Sequence, residues 1–435
     1  MAGTRLYFDV WPRVVPADTK SSITIRSFFG DLEEAGEYEI KCIPMEGGPV
    51  QTEKVTAFHG TLQVSFHFAG EGEHTLLVEE EGQRRRFTFS VYSLGKDLFI
   101  RRPFKGDMHM HSRHSDGKEA PAYVAGACRR IGLDFMAVTD HGLYHPSLEA
   151  QAAYAEVEHD LRIFPGEEVH PPENPIHIIN FGGRFSINDL FRYEPDRYRE
   201  EVETLMQDLG EMPAGVDRYQ YASSVWCFQK IREAGGLGIF CHPYWVWGNR
   251  YYINAALTEK LLDDVPFDAL ELIGGYHLFE AESNMLQVAH YNEARAAGKQ
   301  IPIVGVSDAH GCESGSLFGW YYTIVFAPDL ELSSLIGSIK ELYSVAVEAL
   351  PGDEPPEQQA RVYGPYRLVK YARYLLREVF PLHDELCAGE GRLMLQYAAA
   401  AGLDGEAAAA STAAAALTAC KGQTDRFWAK IFGSE

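Results

Sequence analysis

No stretch of about 18 apolar residues runs without a charge anywhere in this 435-residue chain, so the pattern of a transmembrane helix is missing. The opening residues, Met-Ala-Gly-Thr-Arg-Leu-Tyr-Phe-Asp-Val, lack a basic segment leading into an apolar core, and no signal peptide is expected. Cysteine is scarce: seven residues, an odd number, scattered without framework spacing. That excludes a disulfide scaffold and points to reduced thiols in a cytoplasm. Positive charge is also short, with 39 Lys and Arg against 62 Asp and Glu, a formal net charge of −23. No basic stripe interrupts the acidic surface, which argues against nucleic acid as a bulk partner, because phosphate backbones bind through clustered Lys and Arg. A small-molecule substrate is the partner class that remains. No internal repeat is visible.

What is present is a globular composition, 46% hydrophobic with 12% aromatic, in a chain long enough for two to three domains. Residues 1–100 read as all-β: Thr61-Leu62-Gln63-Val64-Ser65-Phe66-His67-Phe68 and Arg86 to Val91 alternate strictly, and clusters such as Gly70-Glu71-Gly72-Glu73 separate short strands. A small β-sandwich is expected, with His67 and His74 on its surface. Residues 101–350 alternate strand and helix, which favours a parallel βα barrel. A polar insertion at about 184–224 reads either as a lid or as an outer helical layer. Pro351-Gly352-Asp353-Glu354-Pro355-Pro356-Glu357 marks a boundary, after which 351–435 is expected to be a helical region, with Gln358 to Phe380, Tyr397 to Ala401 and Ala407 to Leu417 as helix formers. Either the β domain or these helices could join two copies of the chain.

Twelve of the sixteen histidines fall between His109 and His310. The densest stretch is Asp107-Met108-His109-Met110-His111-Ser112-Arg113-His114-Ser115-Asp116-Gly117. If Lys105 to His111 is a strand, His109 and His111 point to one side and can face one cation. Asp116 follows from a turn in which Gly117 lets the chain bend. Further apolar runs stop at ligand-type residues: Phe135 to Thr139 at Asp140-His141, Leu161 to Gly166 at Glu167-Glu168, Gly236 to Cys241 at His242, and Ile301 to Ser307 at Asp308-Ala309-His310, while His177 sits inside Ile176 to Gly182. Ligands repeatedly placed at strand ends imply one shared mouth.

The set Asp-x-His-x-His…Ser-Asp-Gly, Thr-Asp-His, Pro-Gly-x-Glu, Ile-His-Ile, Cys-His-Pro and Ser-Asp-x-His, in this order over roughly residues 103–327, resembles the polymerase and histidinol phosphatase (PHP) superfamily. The resemblance implies a distorted (β/α)7 barrel and a metal-dependent hydrolase. It implies nine ligands to two or three divalent ions: His109, His111 and Asp308 around one, Glu168 bridging to a second completed by His177 and His242, and Asp116, His141 and His310 around the third. Glu168 is preferred to Glu167 because the family's glutamate lies two residues after a glycine, here Gly166. His114 competes with Asp116, whose position is a histidine in some relatives.

Nitrogen and carboxylate ligands without thiolate suit zinc, manganese or iron alike. Closely spaced cations would generate a metal-bound hydroxide near neutral pH, so no serine or cysteine nucleophile is required. Cys241 and Cys312 are read as small buried residues. Asp140 is expected to orient a ligand imidazole. Arg113 and Arg250 are candidates to meet phosphate oxygens, weighed evenly against solvated surface arginines. Tyr244 and Trp245 would wall part of a substrate, and His114, His145 or His277 would donate a proton to a leaving group. Phosphoester hydrolysis leads amide or carbamate hydrolysis modestly. A non-catalytic binding or regulatory protein is disfavoured because all nine positions are filled.

Overall fold

Alternation decides the first unit. Along Thr61–Phe68 the residues Leu62, Val64, Phe66 and Phe68 are buried while Gln63 and His67 face solvent. This strand joins Phe8–Trp11 and Thr19–Ser27 in a three-stranded sheet. A second sheet orders Val14–Pro16, Arg86–Leu94, Gly72–Glu80, Glu37–Pro44 and Gln51–Thr56. Ile25, Leu62 and Phe66 from one sheet meet Ile40, Leu76 and Val91 from the other in a common core, the expected β-sandwich. His74 departs from expectation: in Gly72–Glu80 it shares the inward face with Leu76 and Val78. Its ring lies 5.0 Å from Phe68 and 2.9 Å from the Ser93 hydroxyl, and burial pushes its pKa down to about 4.

The computed structural model describes residues 7–80, 85–277, 280–313, 317–351, 359–401 and 406–433. The chain divides into two compact units, the first built from Met1–Arg102, Lys370–His383 and Gly422–Glu435, the second from Pro103–Val369 and Asp384–Lys421. A separate helical region over 351–435 is therefore not formed, because its helices complete the two other units. In the first, the buried Tyr374 hydroxyl donates to the Arg13 and Ser90 carbonyls. In the second, the buried Arg129 guanidinium bonds Glu390 at 2.6 Å and Asp134 at 3.1 Å, and Met394 and Leu417 enter the main core. Alanine-rich helices bury too little area each to make a core of their own. Arg361–Tyr363 is a strand, and the Gly352 to Gln358 part of the expected boundary lies outside the described residues.

Among the described residues the second unit holds two large sheets and the two-stranded hairpin of Val246–Trp247 with Arg250–Tyr251. One orders Arg162–Phe164, Phe135–Ala137, Arg102–Asp107, Tyr321–Ala327, Ser344–Glu348 and Arg361–Tyr363; the other orders Gly166–Val169, Ile178–Phe181, Leu237–Phe240, Ala269–Gly274 and Ile303–Val306. Successive strand residues enter different cores: Met136, Leu270 and Ile303 one, Phe135, Ala269 and Val304 another. Strands buried on both faces explain the unbroken apolar runs in the sequence. The ladders do not close a (β/α)7 barrel. Ile178–Phe181 is antiparallel to both neighbours, and among the described residues the sheets are joined by the isolated parallel bridges Met110↔Ala309 and His141↔Glu168 and by side-chain bonds, Thr323 Oγ1 to the Gly305 carbonyl and Ser344 Oγ to that of Ile303. Both bridges lie where the ligand-type residues collect. The insertion forms Ile187–Tyr193, Pro195–Asp208 and Arg218–Glu233, whose Val202, Trp226 and Ile231 pack in the main core. It is a helical layer of the unit. No helix among the described residues is long and apolar enough to cross a membrane.

Candidate metal centre

The strand Arg102–Asp107 ends four residues before His111. His109 and His111 nevertheless project together because the extension beyond the strand is tied to its neighbour: His111 N donates to the Ala309 carbonyl, Asp308 N donates to the His109 carbonyl, and Thr139 N donates to that of Met110. Asp107, buried, accepts from His109 N and Ser307 N. Sequence reading gave Asp107 no role. Two proposed ligands sit in the left-handed backbone region, His242 at φ 25° and Asp308 at φ 52°, a strained placement for non-glycine residues that recurs at functional sites.

Glu167 and Glu168 begin no loop; they lie within Gly166–Val169, so their side chains face opposite ways. Glu167 accepts from Ser186 Oγ, Asn180 Nδ2, Asn188 Nδ2 and Ile187 N, and so anchors the first turn of the insertion. Glu168 faces the histidines. Its Oε1 lies 2.8 Å from His177 Nδ1, 3.4 Å from His242 Nε2 and 3.7 Å from His109 Nε2. Its Oε2 faces His111 at 3.7 Å and His170 at 3.3 Å, and touches His141 Nδ1. Asp308 Oδ1 is 3.1 Å from His109 Nε2 and 2.9 Å from His111 Nε2. At the outer end, Asp116 Oδ1 is 3.4 Å from His141 Nε2 and 3.2 Å from His310 Nε2.

These atoms fit a metal better than they fit one another. Both Glu168 oxygens, His109 Nε2 and His177 Nδ1 are buried and lack a hydrogen-bond partner of acceptable geometry, despite the short separations. Buried polar atoms are almost always satisfied, and a cation shared by these ring nitrogens and carboxylates would satisfy them. Ligand atoms of His111, Asp116, His141 and His310 lie within 4.8 Å of one another, as do those of His109, His111 and Glu168, and of His109, His242 and Asp308. Burial would raise the Glu168 carboxyl, but His177, His109, His141 and His170 outweigh it and hold the group well below the usual carboxylate range. Burial pushes the His177 imidazole down to about 4 against the opposing pull of Glu168.

All nine sequence-predicted ligand positions are thus brought to one place. Two further groups join them. His170, two residues after Glu168 and so on its face, stacks 4.1 Å from His177 and lies 3.1 Å from His141 Nδ1. Glu271, fully buried, lies 3.3 Å from His109 Nδ1. The period-2 rule could have found His170; Glu271 is hidden inside an ordinary strand, Ala269–Gly274.

Other expectations are corrected. Among the described residues Asp140 bonds no imidazole; it accepts from Ser112 N, Ser112 Oγ and Ser115 Oγ, holding the loop between His111 and Asp116. His114 turns away to Glu149 at 2.7 Å, with His145 against its ring, so Asp116 and not His114 joins the outer group. Tyr244 faces away from the histidines: its hydroxyl lies 2.7 Å from His290 Nδ1, beside a separate cavity of about 560 Å³. Trp245 faces them, 5.8 Å from His177 and 6.0 Å from His242. Arg113 and Arg250 are exposed, and neither side chain makes a hydrogen bond or ion pair among the described residues. Cys241 is buried, with Sγ 3.3 Å from the Ile239 carbonyl, whereas Cys312 is only partly buried.

No family model matches the chain. Over 67 residues it is 39% identical to the DNA polymerase/3'-5' exonuclease PolX of Bacillus subtilis, a match covering 15% of this chain and 11% of that protein. It is 23% identical over 184 residues to an uncharacterized protein of Methanocaldococcus jannaschii, covering 40% of this chain and 83% of that one. Similar solved structures include a two-domain protein containing a predicted PHP-like metal-dependent phosphoesterase from Bacteroides vulgatus, with 18% identity, TM-score 0.38 and coverage of 57% of this chain and 65% of that one. An amidohydrolase from Chromobacterium violaceum gives 19% identity, TM-score 0.30 and coverage of 47% and 87%. The chain thus spans about a tenth of the PolX length and under two thirds of the Bacteroides structure. In the motifs it carries, and in the buried histidine and carboxylate cluster those motifs form, the chain resembles the PHP superfamily.

Proposed function

We propose that this chain is a metal-dependent hydrolase, a phosphoesterase acting on a small phosphomonoester or diester, with two to three divalent ions of zinc, manganese or iron. The observation that carries the reading is Glu168, a fully buried carboxylate ringed by six imidazoles, its oxygens without hydrogen-bond partners. His109, His111 and Asp308 would hold one ion, His177 and His242 a second across Glu168, and Asp116, His141 and His310 the third. Bound cations would supply Lewis acidity toward a substrate oxygen and acidify a coordinated water. The chain's own groups do the positioning. Glu271 beside His109 Nδ1 leaves the Nε2 of that ring to face Glu168 and Asp308, fixing which lone pair is offered. Asp140 holds the loop that carries Asp116.

Phosphoester is preferred to amide because the two exposed, unpaired guanidinium groups, Arg113 and Arg250, flank the ligand motifs of an otherwise strongly acidic chain. Free arginines there favour an anionic substrate. The test is elemental analysis together with a substrate panel. The chain should carry two to three metals and hydrolyse p-nitrophenyl phosphate or bis-p-nitrophenyl phosphate, with activity lost in chelator. Turnover of aryl carbamates or anilides alone would replace the phosphoester reading with the amide one. Less than one tightly bound metal after reconstitution would end both.

A further inference from the structure

The segment after His242 is a hairpin with two unlike faces. Val246–Trp247 pairs antiparallel with Arg250–Tyr251, Trp247 opposite Arg250 and Val246 opposite Tyr251. Gly248 and Asn249 at its tip both have positive φ, 60° and 67°, as a two-residue type I′ turn requires. At its base Tyr252 N donates to the Trp245 carbonyl at 2.8 Å. Cross-strand partners share a face, so Trp245, Trp247, Arg250 and Tyr252 lie together, and Val246 and Tyr251 lie on the reverse. The rings agree: Trp245 is 4.8 Å from Tyr252 and 5.6 Å from Trp247, whereas Tyr251 is 5.4 Å from Tyr244, the residue turned toward His290.

The first face abuts the ligand histidines. Trp245 contacts both His177 and His242, and Tyr252 lies 5.7 Å from His177. Packing leaves part of this face uncovered: Trp245 is half-buried, while Trp247 is 65% exposed and Tyr252 40% exposed. A hairpin braced by a tight turn, holding uncovered indole and phenol rings against a ligand cluster, is preorganised to receive something flat.

We propose that this face is a subsite for a planar aromatic group on the substrate, stacked on Trp245 and Tyr252 with the scissile bond toward His177 and His242. The assignment rests on the hydrolase reading above. It names the substrate class as aryl esters or others carrying a flat ring next to the bond broken.

Phenylphosphonate and methylphosphonate separate the ring from the anion, because the two share the charged head and neither is hydrolysed. As inhibitors of p-nitrophenyl phosphate hydrolysis by the metal-loaded full chain, the phenyl compound should bind about tenfold tighter. The ratio should fall to about two in Trp245→Leu and in Tyr252→Leu, each retaining its metals. Equal inhibition of the unaltered chain, or a ratio that survives both substitutions, overturns the subsite. If no phosphoester is hydrolysed, the function proposal fails by itself and the subsite is read by tryptophan fluorescence. Phenol should then quench at concentrations about tenfold below cyclohexanol, a preference that Tyr252→Leu removes while keeping Trp245 as reporter. No preference for phenol overturns it.

Discussion

Adjacent glutamates one peptide apart are expected to fail in different ways. Glu168→Gln offers one neutral oxygen where a carboxylate could bridge, so metal affinity should fall by at least about 10 to 100-fold, read by elemental analysis and by activity against metal concentration. Glu167→Gln should keep its metals and lose stability. The new amide turns a donor toward Ser186, Asn188 and Ile187 N, leaving buried donors opposed, at about 1–3 kcal/mol by denaturant titration. Metal loss in Glu167→Gln with an unaffected Glu168→Gln would mean the register of this strand is wrong by one. His74 gives a residue-scale pH effect. Its folded pKa of about 4 lies below the unfolded value of about 6.5, so as pH falls between those limits the unfolded chain takes up a proton that the folded chain refuses. Stability of the first unit should therefore decline from about pH 6.5 to 4, and His74→Gln should flatten that part of the curve. An unchanged slope would show that other groups set it.

The elements around the centre are held by backbone as much as by side chains. Gly117 closes the loop after His111, with its N–H donating to the Ser112 carbonyl at 3.0 Å. A Cβ there would stand 2.4 Å from the His111 carbonyl oxygen. Close approach, and not a left-handed turn, is why glycine is needed. Gly117→Ala should push the loop outward and carry Asp116 with it, so the expected result is loss of about one metal per chain while the ions at His109 and His242 remain. Full metal content at full rate would show that the loop absorbs the methyl group. The same logic applies to the strand carrying Glu168: its neighbour Ile178–Phe181 runs antiparallel, and His177 lies just before that strand begins, which brings its ring to the carboxylate from the other direction.

At the scale of the molecule, the two units have separate cores, and only the second holds the ligand cluster. A bound ion stabilises what binds it by mass action, about 2.7 kcal/mol at a hundredfold excess over Kd. Scanning calorimetry should then show a transition that shifts down in chelator and one that does not. A single transition that moves as a whole would mean that the units unfold together. Deleting residues 1–100 should leave Tyr371 and Tyr374 uncovered, because both are buried against Tyr92. The expected product aggregates, and a soluble, metal-loaded product would contradict that packing.

The sequence by itself determined the sandwich strands, since period-2 alternation is written locally, and it marked nine candidate ligand positions through short motifs that resemble those of the PHP superfamily. The choice of Glu168 over Glu167 came from the resemblance, whose glutamate lies two residues after a glycine, here Gly166, and strand alternation adds only that the two face opposite ways. Tertiary structure alone decided the rest. Asp140 and Asp107 found backbone and hydroxyl donors from distant loops, Glu271 met His109 from 162 residues away, and His74 turned inward because its strand's register left it no other face. The helices after Tyr366 read alike as helix formers, yet they are divided between two units, because an apolar stripe specifies that it must be covered and not by what.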